Sequence, residues 1–238
     1  MAMLILKWLF LILKNGVLMI KAVIFDMYET LITQYRSKPY FTAHIAEDAG
    51  IEEGAFRKLW YSTEDARTDG ITDIKRVVTD IMKGFDCYNP DTVEKIYQSR
   101  KASKAEQFYH LHDEIIPLFN ELKNRELKVA IISNCYLEEA EVIKESILYS
   151  LTDVAVLSSE VGCHKPDEKI YNICLERLGF NADECIYVGD GGCNELYTAK
   201  KIGMKSVQAC WYLKEWTQNF RQEFEGAESP LEVLNYIN

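Results

Sequence analysis

The chain reads as an α/β protein, a parallel sheet covered by helices with one helical insertion. Three observations predict this. Short β-rich apolar runs alternate with helical patterns from residue 113 onward, which is the signature of strands joined by helical crossovers. An early apolar run, Ala22 to Phe25, stops abruptly at a carboxylate, Asp26. Between them, residues 35–110 carry polar, helical periodicity and no strand signal.

The first strand, Ala22 to Phe25, precedes the insertion and is expected to pair with the later strands. Helices are expected over Pro39–Ala49, Glu53–Ala66, Ile71–Phe85 and Asp91–Tyr109. Gly50, the turn Thr68-Asp69-Gly70 and Asn89-Pro90 separate them, and Asn-Pro-Asp-Thr at 89–92 is a helix-start signal. Strands follow at Val129–Ile132, Val154–Leu157, Cys185–Val188 and Ser206–Cys210. The aromatic C-terminal part, with Trp211, Tyr212, Trp216 and Phe220, is read as a helix packing on the sheet. The division is therefore a core built from 19–34 and 111–238, an insertion over 35–110, and an N-terminal extension over 1–18.

With 238 residues, 48% of them hydrophobic, the chain can bury a sizeable α/β core beside a smaller unit. A net charge of −10 argues against nucleic acid as a partner, because such binding draws on a basic surface that releases counterions. An anionic protein can still take an anionic small molecule where a lysine, a metal ion or backbone amides reverse the local field. The seven cysteines form no Cys-x-x-Cys pair and accompany no histidine at ligand spacing, so neither a disulfide framework nor a zinc site is expected. Several lie inside apolar runs, as buried thiols of a reduced cytoplasmic protein do. Cys135 and Cys193 fall near the motifs below, but no partner base marks either as a nucleophile.

Residues 1–18 are strongly apolar, yet Lys7 and Lys14 interrupt them. The unbroken run from Trp8 to Leu13 is far short of the roughly 20 residues that span a bilayer, and no small-residue cleavage site follows. Membrane association is not expected. Met19 stands directly before the first strand, and the extension ahead of it is read as dispensable for folding and activity.

In an open parallel sheet, ligands bind beyond the carboxyl ends of the strands, so the residues at those ends can be compared. Strand one ends in Asp26, with Thr30 shortly after. Strand two ends in Ser133-Asn134, which offers a hydroxyl and backbone amides to an anion. After strand three comes His-Lys-Pro-Asp, in which Lys165 precedes a proline, Pro166, placed to begin a helix. Strand four runs into Gly189-Asp190-Gly191-Gly192-Cys193-Asn194-Glu195, a glycine-rich turn with two carboxylates. Taken singly, each is a cap or a turn former. Carboxylate, hydroxyl, ammonium and a carboxylate pair on four successive strand ends are not explained by turn chemistry alone.

This order resembles the four motifs of the haloacid dehalogenase superfamily of hydrolases, over nearly everything from Met19 to Cys210. The resemblance implies a doubly wound, Rossmann-like parallel sheet with a small helical cap, and the cap would be the 35–110 insertion. It makes Asp26 the nucleophile, Thr30 and Ser133 supporting hydroxyls, and Lys165 the cation beside the nucleophile; Ser133, Asn134 and Lys165 would hold the substrate. Mg²⁺ would be bound by Asp26, the backbone carbonyl of Tyr28 and Asp190, with Glu195 nearby or acting through water. Lys165 would also lower the pKa of Asp26 and keep it ionised.

One position departs from the phosphatase pattern. Phosphatase members carry a second aspartate two residues after the nucleophile as general acid and base, and this chain has Tyr28, a poor proton carrier near neutral pH. Glu29 is the adjacent alternative. Aromatic residues at this position occur in the dehalogenase branch, for which Arg57 would be a cap arginine receiving the halide. Metal-independent dehalogenases, however, replace the first aspartate of the fourth motif, and Asp190 is kept. The expectation is a Mg²⁺-dependent phosphatase acting on a small phosphorylated metabolite through an aspartyl-phosphate on Asp26. A 2-haloacid dehalogenase-like hydrolase, or a phosphoester-binding protein of weakened catalysis, stands as the alternative. Trp60, Tyr61, Arg67 and the 68–70 turn are the insertion residues expected near a substrate.

Overall fold

The computed structural model describes residues 19–213 and 221–237. The expectation for residues 1–18 therefore lies outside the described residues, as do Trp216 and Phe220.

The sheet has six parallel strands, β1 (Ala22–Phe25), β2 (Lys128–Ser133), β3 (Val154–Leu157), β4 (Cys185–Gly189), β5 (Lys205–Ala209) and β6 (Glu225–Ala227). Their spatial order is β3-β2-β1-β4-β5-β6. The chain thus builds outward from β1 on one side and then crosses to build on the other, so the sheet is doubly wound with its switch point between β1 and β4. That is where a crevice opens at the carboxyl ends of the strands. Register brings those ends level: Phe25 pairs with Ile131 on β2 and with Val188 on β4. The last strand, β6, was not expected; three residues containing a glycine give no period-2 pattern.

Alternation along β1 sends Val23 and Phe25 to one face and Ala22 and Ile24 to the other. The first face packs on Leu118, Phe119 and Leu122 of the helix Ile115–Asn124; the second packs on Ile170, Tyr171 and Cys174 of the helix Glu168–Leu178 and on Leu196 and Ala199. Both faces are covered, which is why the central strands read as continuous apolar runs.

The insertion after β1 supplies five α-helices, α1 (Thr42–Ala49), α2 (Glu53–Tyr61), α3 (Glu64–Thr68), α4 (Ile74–Gly84) and α5 (Pro90–Gln107). They bury their own apolar cluster around Ile45, Phe56, Trp60, Val78 and Ile96. The start signal at 89–92 is used as written: the Asn89 side chain accepts from the amides of Asp91 and Thr92, with Pro90 in the first turn. The helix α6 (Ile115–Asn124) leads from the insertion into β2, and after β2 come α7 (Leu137–Glu145), α8 (Ile147–Ser150), α9 (Ser158–Val161), α10 (Glu168–Leu178) and α11 (Glu195–Lys201). Pro166 does not open α10; Asp167 caps it, its carboxylate accepting from the Lys169 amide. Trp211 and Tyr212 are buried in a turn rather than a helix, and the Trp211 indole donates to the Thr30 carbonyl at 2.8 Å.

Two of the contacts between the insertion and the core frame the site. On one side, α5 lies against α7 through ion pairs. On the other, Gly70, with φ +68°, packs so tightly that a Cβ there would stand 2.0 Å from the Ser159 carbonyl oxygen, while the Ser158 hydroxyl donates to the Thr68 carbonyl at 2.7 Å.

Candidate active site

The ends of β1, β2 and β4, with the loop after α9, border a cavity of about 570 Å³ to whose wall the insertion contributes Glu64, Asp65, Thr68, Arg100 and Lys104. Asp26 is its buried floor, and its amide is held by the Val188 carbonyl at 2.9 Å. Lys165 reaches in between two carboxylates: its ammonium donates to Asp26 Oδ1 in a very short contact and to Glu195 Oε2 at 2.6 Å. The Tyr187 hydroxyl also donates to Glu195 Oε2, at 2.8 Å. Asn134 clamps the lysine's backbone from both sides, accepting from the Lys165 amide at 2.8 Å and donating to its carbonyl at 2.9 Å. Asn134 therefore positions Lys165, whatever else it does.

The glycine-rich turn is shaped around its two acids. A Cβ at Gly189 would fall 2.0 Å from Glu195 Oε1, so only glycine lets the carboxylate tuck under the end of β4. The other Glu195 oxygen is used by the lysine, and the Gly191 amide donates to Oε1 at 3.1 Å. Asp190 accepts from the Gly192 amide at 2.9 Å. Cys193 and Asn194 are both held at positive φ, a conformation that non-glycine residues keep only when their surroundings impose it. The result is that ligand oxygens of Asp26, Asp190 and Glu195, all buried, lie within 4.8 Å of one another.

One lysine does not balance these acids. Burial is the largest influence on Asp26, the negative charge of Glu195 adds to it, and together they outweigh Lys165 and push the carboxyl up to about 6. Lys165 does pull this group down, as expected, but it is overridden, and the expectation that it keeps the carboxyl low fails on the net direction. Glu195 is also raised, chiefly by burial, while Lys165 is held well above the ordinary lysine range by the two carboxylates despite its burial.

Other sequence candidates take different places. Thr30 and Ser133 are fully buried and do not line the cavity; the Thr30 hydroxyl has no partner among the described residues. Tyr28 does line it, beneath the Lys104 ammonium at 4.4 Å from its ring, and burial pushes its phenol well above the ordinary value. Glu29 lines it too, with φ +60°, yet both carboxylate oxygens are occupied, by the Thr33 hydroxyl at 2.5 Å and the Gln34 amide at 3.2 Å. Arg57 is exposed and pairs with Glu53 at 3.1 Å on its own helix, away from the cavity. Trp60 lies in the insertion's core and Tyr61 at its surface; Arg67 is buried against the Trp60 ring at 3.6 Å and the Tyr136 ring at 4.4 Å, and of this group Thr68 reaches the cavity wall. Burial pushes the Cys135 thiol up to about 12, which suits the expectation of an inert cysteine.

The sequence reading missed the upper wall. Arg100 and Lys104, one turn apart on α5, line the cavity and pair with Glu138 and Glu139 of α7: Arg100 Nε to Glu138 at 2.7 Å, Arg100 Nη2 to Glu139 at 2.6 Å, and Lys104 to Glu139 at 3.0 Å. His164 and Asp69, also unremarked, face each other at 2.7 Å across the rim. Spacing could have grouped Arg100 with Lys104, and His164 adjoins the motif lysine, but nothing in the sequence pairs them with their partners.

Comparison with known proteins finds phosphatases and dehalogenases. A glyceraldehyde 3-phosphate phosphatase of Methanopyrus kandleri is 24% identical over 207 residues, covering 80% of this chain and 84% of its own length. The protein of the same name from Methanocaldococcus jannaschii is 26% identical over 202 residues, 80% and 85% of the two chains. Among solved structures, a HAD phosphatase from Thermococcus onnurineus superposes with a TM-score of 0.62 at 21% identity, over 91% of this chain and 97% of that one. A 2-haloacid dehalogenase from Pseudomonas syringae pv. Tomato gives 0.63 at 17% identity, again over 91% and 97%. The family model of haloacid dehalogenase-like hydrolases matches residues 20–203, which embraces all four strand ends and the insertion, and the chain belongs to that family.

Proposed function

We propose that this hydrolase is a Mg²⁺-dependent phosphatase of small phosphorylated metabolites, with Asp26 as nucleophile. The observation that carries the reading is the unbalanced cluster: three buried carboxylates within 4.8 Å, served by one lysine. Buried acids with excess negative charge and hard oxygen donors fit a small divalent cation. Asp26, Asp190 and the Tyr28 carbonyl would hold it, with Glu195 alongside or through water. Such an ion would neutralise phosphate charge and so let a carboxylate approach phosphorus.

Asp26 would attack phosphorus to give an aspartyl-phosphate, and water would then release phosphate, which divides one displacement into two. Lys165 would stabilise charge on the phosphoryl oxygens, and Asn134, which lines the cavity and fixes the Lys165 backbone, would border the same group. The insertion, residues 35–110, would act as the cap that keeps bulk water out. The relatives named as glyceraldehyde 3-phosphate phosphatases, and the alignment with a pyrophosphatase of Bacillus velezensis over 62% of this chain, support phosphate esters as the substrate class. A cytoplasmic location is in keeping with such substrates; no helix among the described residues is long and apolar enough to cross a membrane.

Tyr28 favours a second reading, carbon–halogen hydrolysis, since it stands where the phosphatase aspartate is missing. The two separate in one experiment. Phosphate release from glyceraldehyde 3-phosphate and other phosphomonoesters, and halide release from 2-chloropropionate, are measured with Mg²⁺ and with a chelator. Metal-dependent phosphate release that falls about 10⁴-fold or more in Asp26→Asn is expected. Chelator-insensitive halide release would establish the second reading, and metal binding without turnover of either class would leave a binding protein.

A further inference from the structure

A phosphatase that lacks the second aspartate needs another group to protonate the leaving oxygen and deprotonate the attacking water. The cavity walls supply few. A phenol such as Tyr28 is a poor proton carrier near neutral pH, the Glu29 oxygens are taken by Thr33 and Gln34, and Glu139 is taken by Arg100 and Lys104. Glu64 and Asp65 line the rim but are exposed, the Asp65 side chain by 90%, as any surface acid is.

His164 is different. It lines the same cavity as Asp26, immediately before Lys165 on the loop that Asn134 clamps, and its side chain is 29% exposed. Its Nδ1 lies 2.7 Å from Asp69 Oδ1. An ionised carboxylate only accepts, so Nδ1 carries the proton and Nε2 is left as the exchanging nitrogen. Asp65 and Asp69, both on the insertion, are the carboxylates that pair with the ring, Asp65 at 3.9 Å from Nε2. An imidazole backed by a carboxylate is the arrangement by which proteins fix the tautomer of a proton carrier and stabilise its charged form.

The geometry points to His164, oriented by Asp69, as the general acid and base of this enzyme. The inference rests on the phosphatase reading above. In the first step Asp26 Oδ bonds to phosphorus as the bond to the leaving oxygen breaks, and the leaving oxygen takes the proton from Nε2. In the second, water attacks phosphorus, the aspartyl bond breaks, and Nε2 recovers a proton from that water. The two halves of the pair come from different parts of the chain. Asp69 belongs to the turn that Gly70 presses onto Ser159, so the proton carrier is complete only when the insertion is docked on the core.

The test uses two substrates with Mg²⁺ present, glycerol phosphate, whose alkoxide must be protonated, and p-nitrophenyl phosphate, whose phenolate leaves without a proton. His164→Gln is expected to lower kcat on glycerol phosphate roughly 100- to 10,000-fold. With p-nitrophenyl phosphate the same variant should still give a burst of one nitrophenolate per enzyme, followed by slow turnover as phosphoenzyme accumulates. Asp69→Asn should show the same pattern more weakly, and added imidazole should restore part of the rate to His164→Ala. Equal losses in the rate of the first, single-turnover step on both substrates, no burst, or no rescue would overturn the assignment while wild-type turnover leaves the phosphatase reading standing. Wild-type protein that forms no phosphoenzyme from either substrate would overturn both.

Discussion

Two buried ionic clusters face each other across the cavity, and they differ in how their charges balance. The floor sets one cation, Lys165, against Asp26, Asp190 and Glu195, a formal charge of one minus three, or −2. The wall sets two cations, Arg100 and Lys104, against two acids, Glu138 and Glu139, and sums to zero. The titration directions follow. On the floor both Asp26 and Glu195 are raised; on the wall Glu139 is lowered by Lys104 and Arg100 in spite of burial, and Arg100 is raised by its acids. Glu138, one of whose oxygens has no partner among the described residues, is raised by burial. A balanced cluster joins two elements, here α5 of the insertion and α7 of the core. An unbalanced one has room for a positive charge that the chain itself does not supply.

The wall gives the largest expected effect on stability. Arg100→Ala leaves two buried acids with one lysine, and breaking such a pair costs about 3–5 kcal/mol. Urea unfolding should show that loss; a change under 1 kcal/mol would mean that the wall carries no more than surface pairs do. The floor should behave oppositely, because its missing partner can be added. At a Mg²⁺ concentration of 100 times Kd, the native state gains about 2.7 kcal/mol. Thermal melts should rise with Mg²⁺ in wild type and in Arg100→Ala, and stay flat in Asp190→Asn. Equal response in all three would erase the distinction between the clusters.

The floor was legible in the sequence and the wall was not, for a physical reason. Asp26 and Asp190 stand directly after strand ends, and Lys165 and Glu195 lie in the segments that follow strand ends; a parallel sheet brings those ends together whatever its details, so the four could be grouped from residue order. Arg100 and Glu138 meet only because α5 docks on α7, a contact between helices whose relative placement periodicity does not encode. Asp69 and His164 are separated in the same way. Signs were harder than places: Lys165 was correctly put beside Asp26, but the weight of burial against its charge depends on depth, which residue order does not give. Glu29 failed for a local reason, since its left-handed backbone turns its carboxylate onto Thr33 and Gln34.

The finest expected effect concerns Asp26 itself in metal-free protein. Its carboxyl is raised from the ordinary 3.8 to about 6, so the folded state holds the proton more tightly than the unfolded one. Its contribution to stability is then fully present below 3.8 and is lost as pH rises through about 6. Glu195 is the second cause of the rise after burial, and Glu195→Gln removes that charge while burial remains. Carbon-13 NMR of the Asp26 carboxyl, in chelator, should show the midpoint moving down toward 3.8 without reaching it. Glu139, on the balanced wall, is not among the main influences on Asp26, and Glu139→Gln should leave its midpoint nearly in place. If the wall variant moved it as far as the floor variant, the clusters would be one electrostatic unit, and the excess charge could no longer be assigned to the floor.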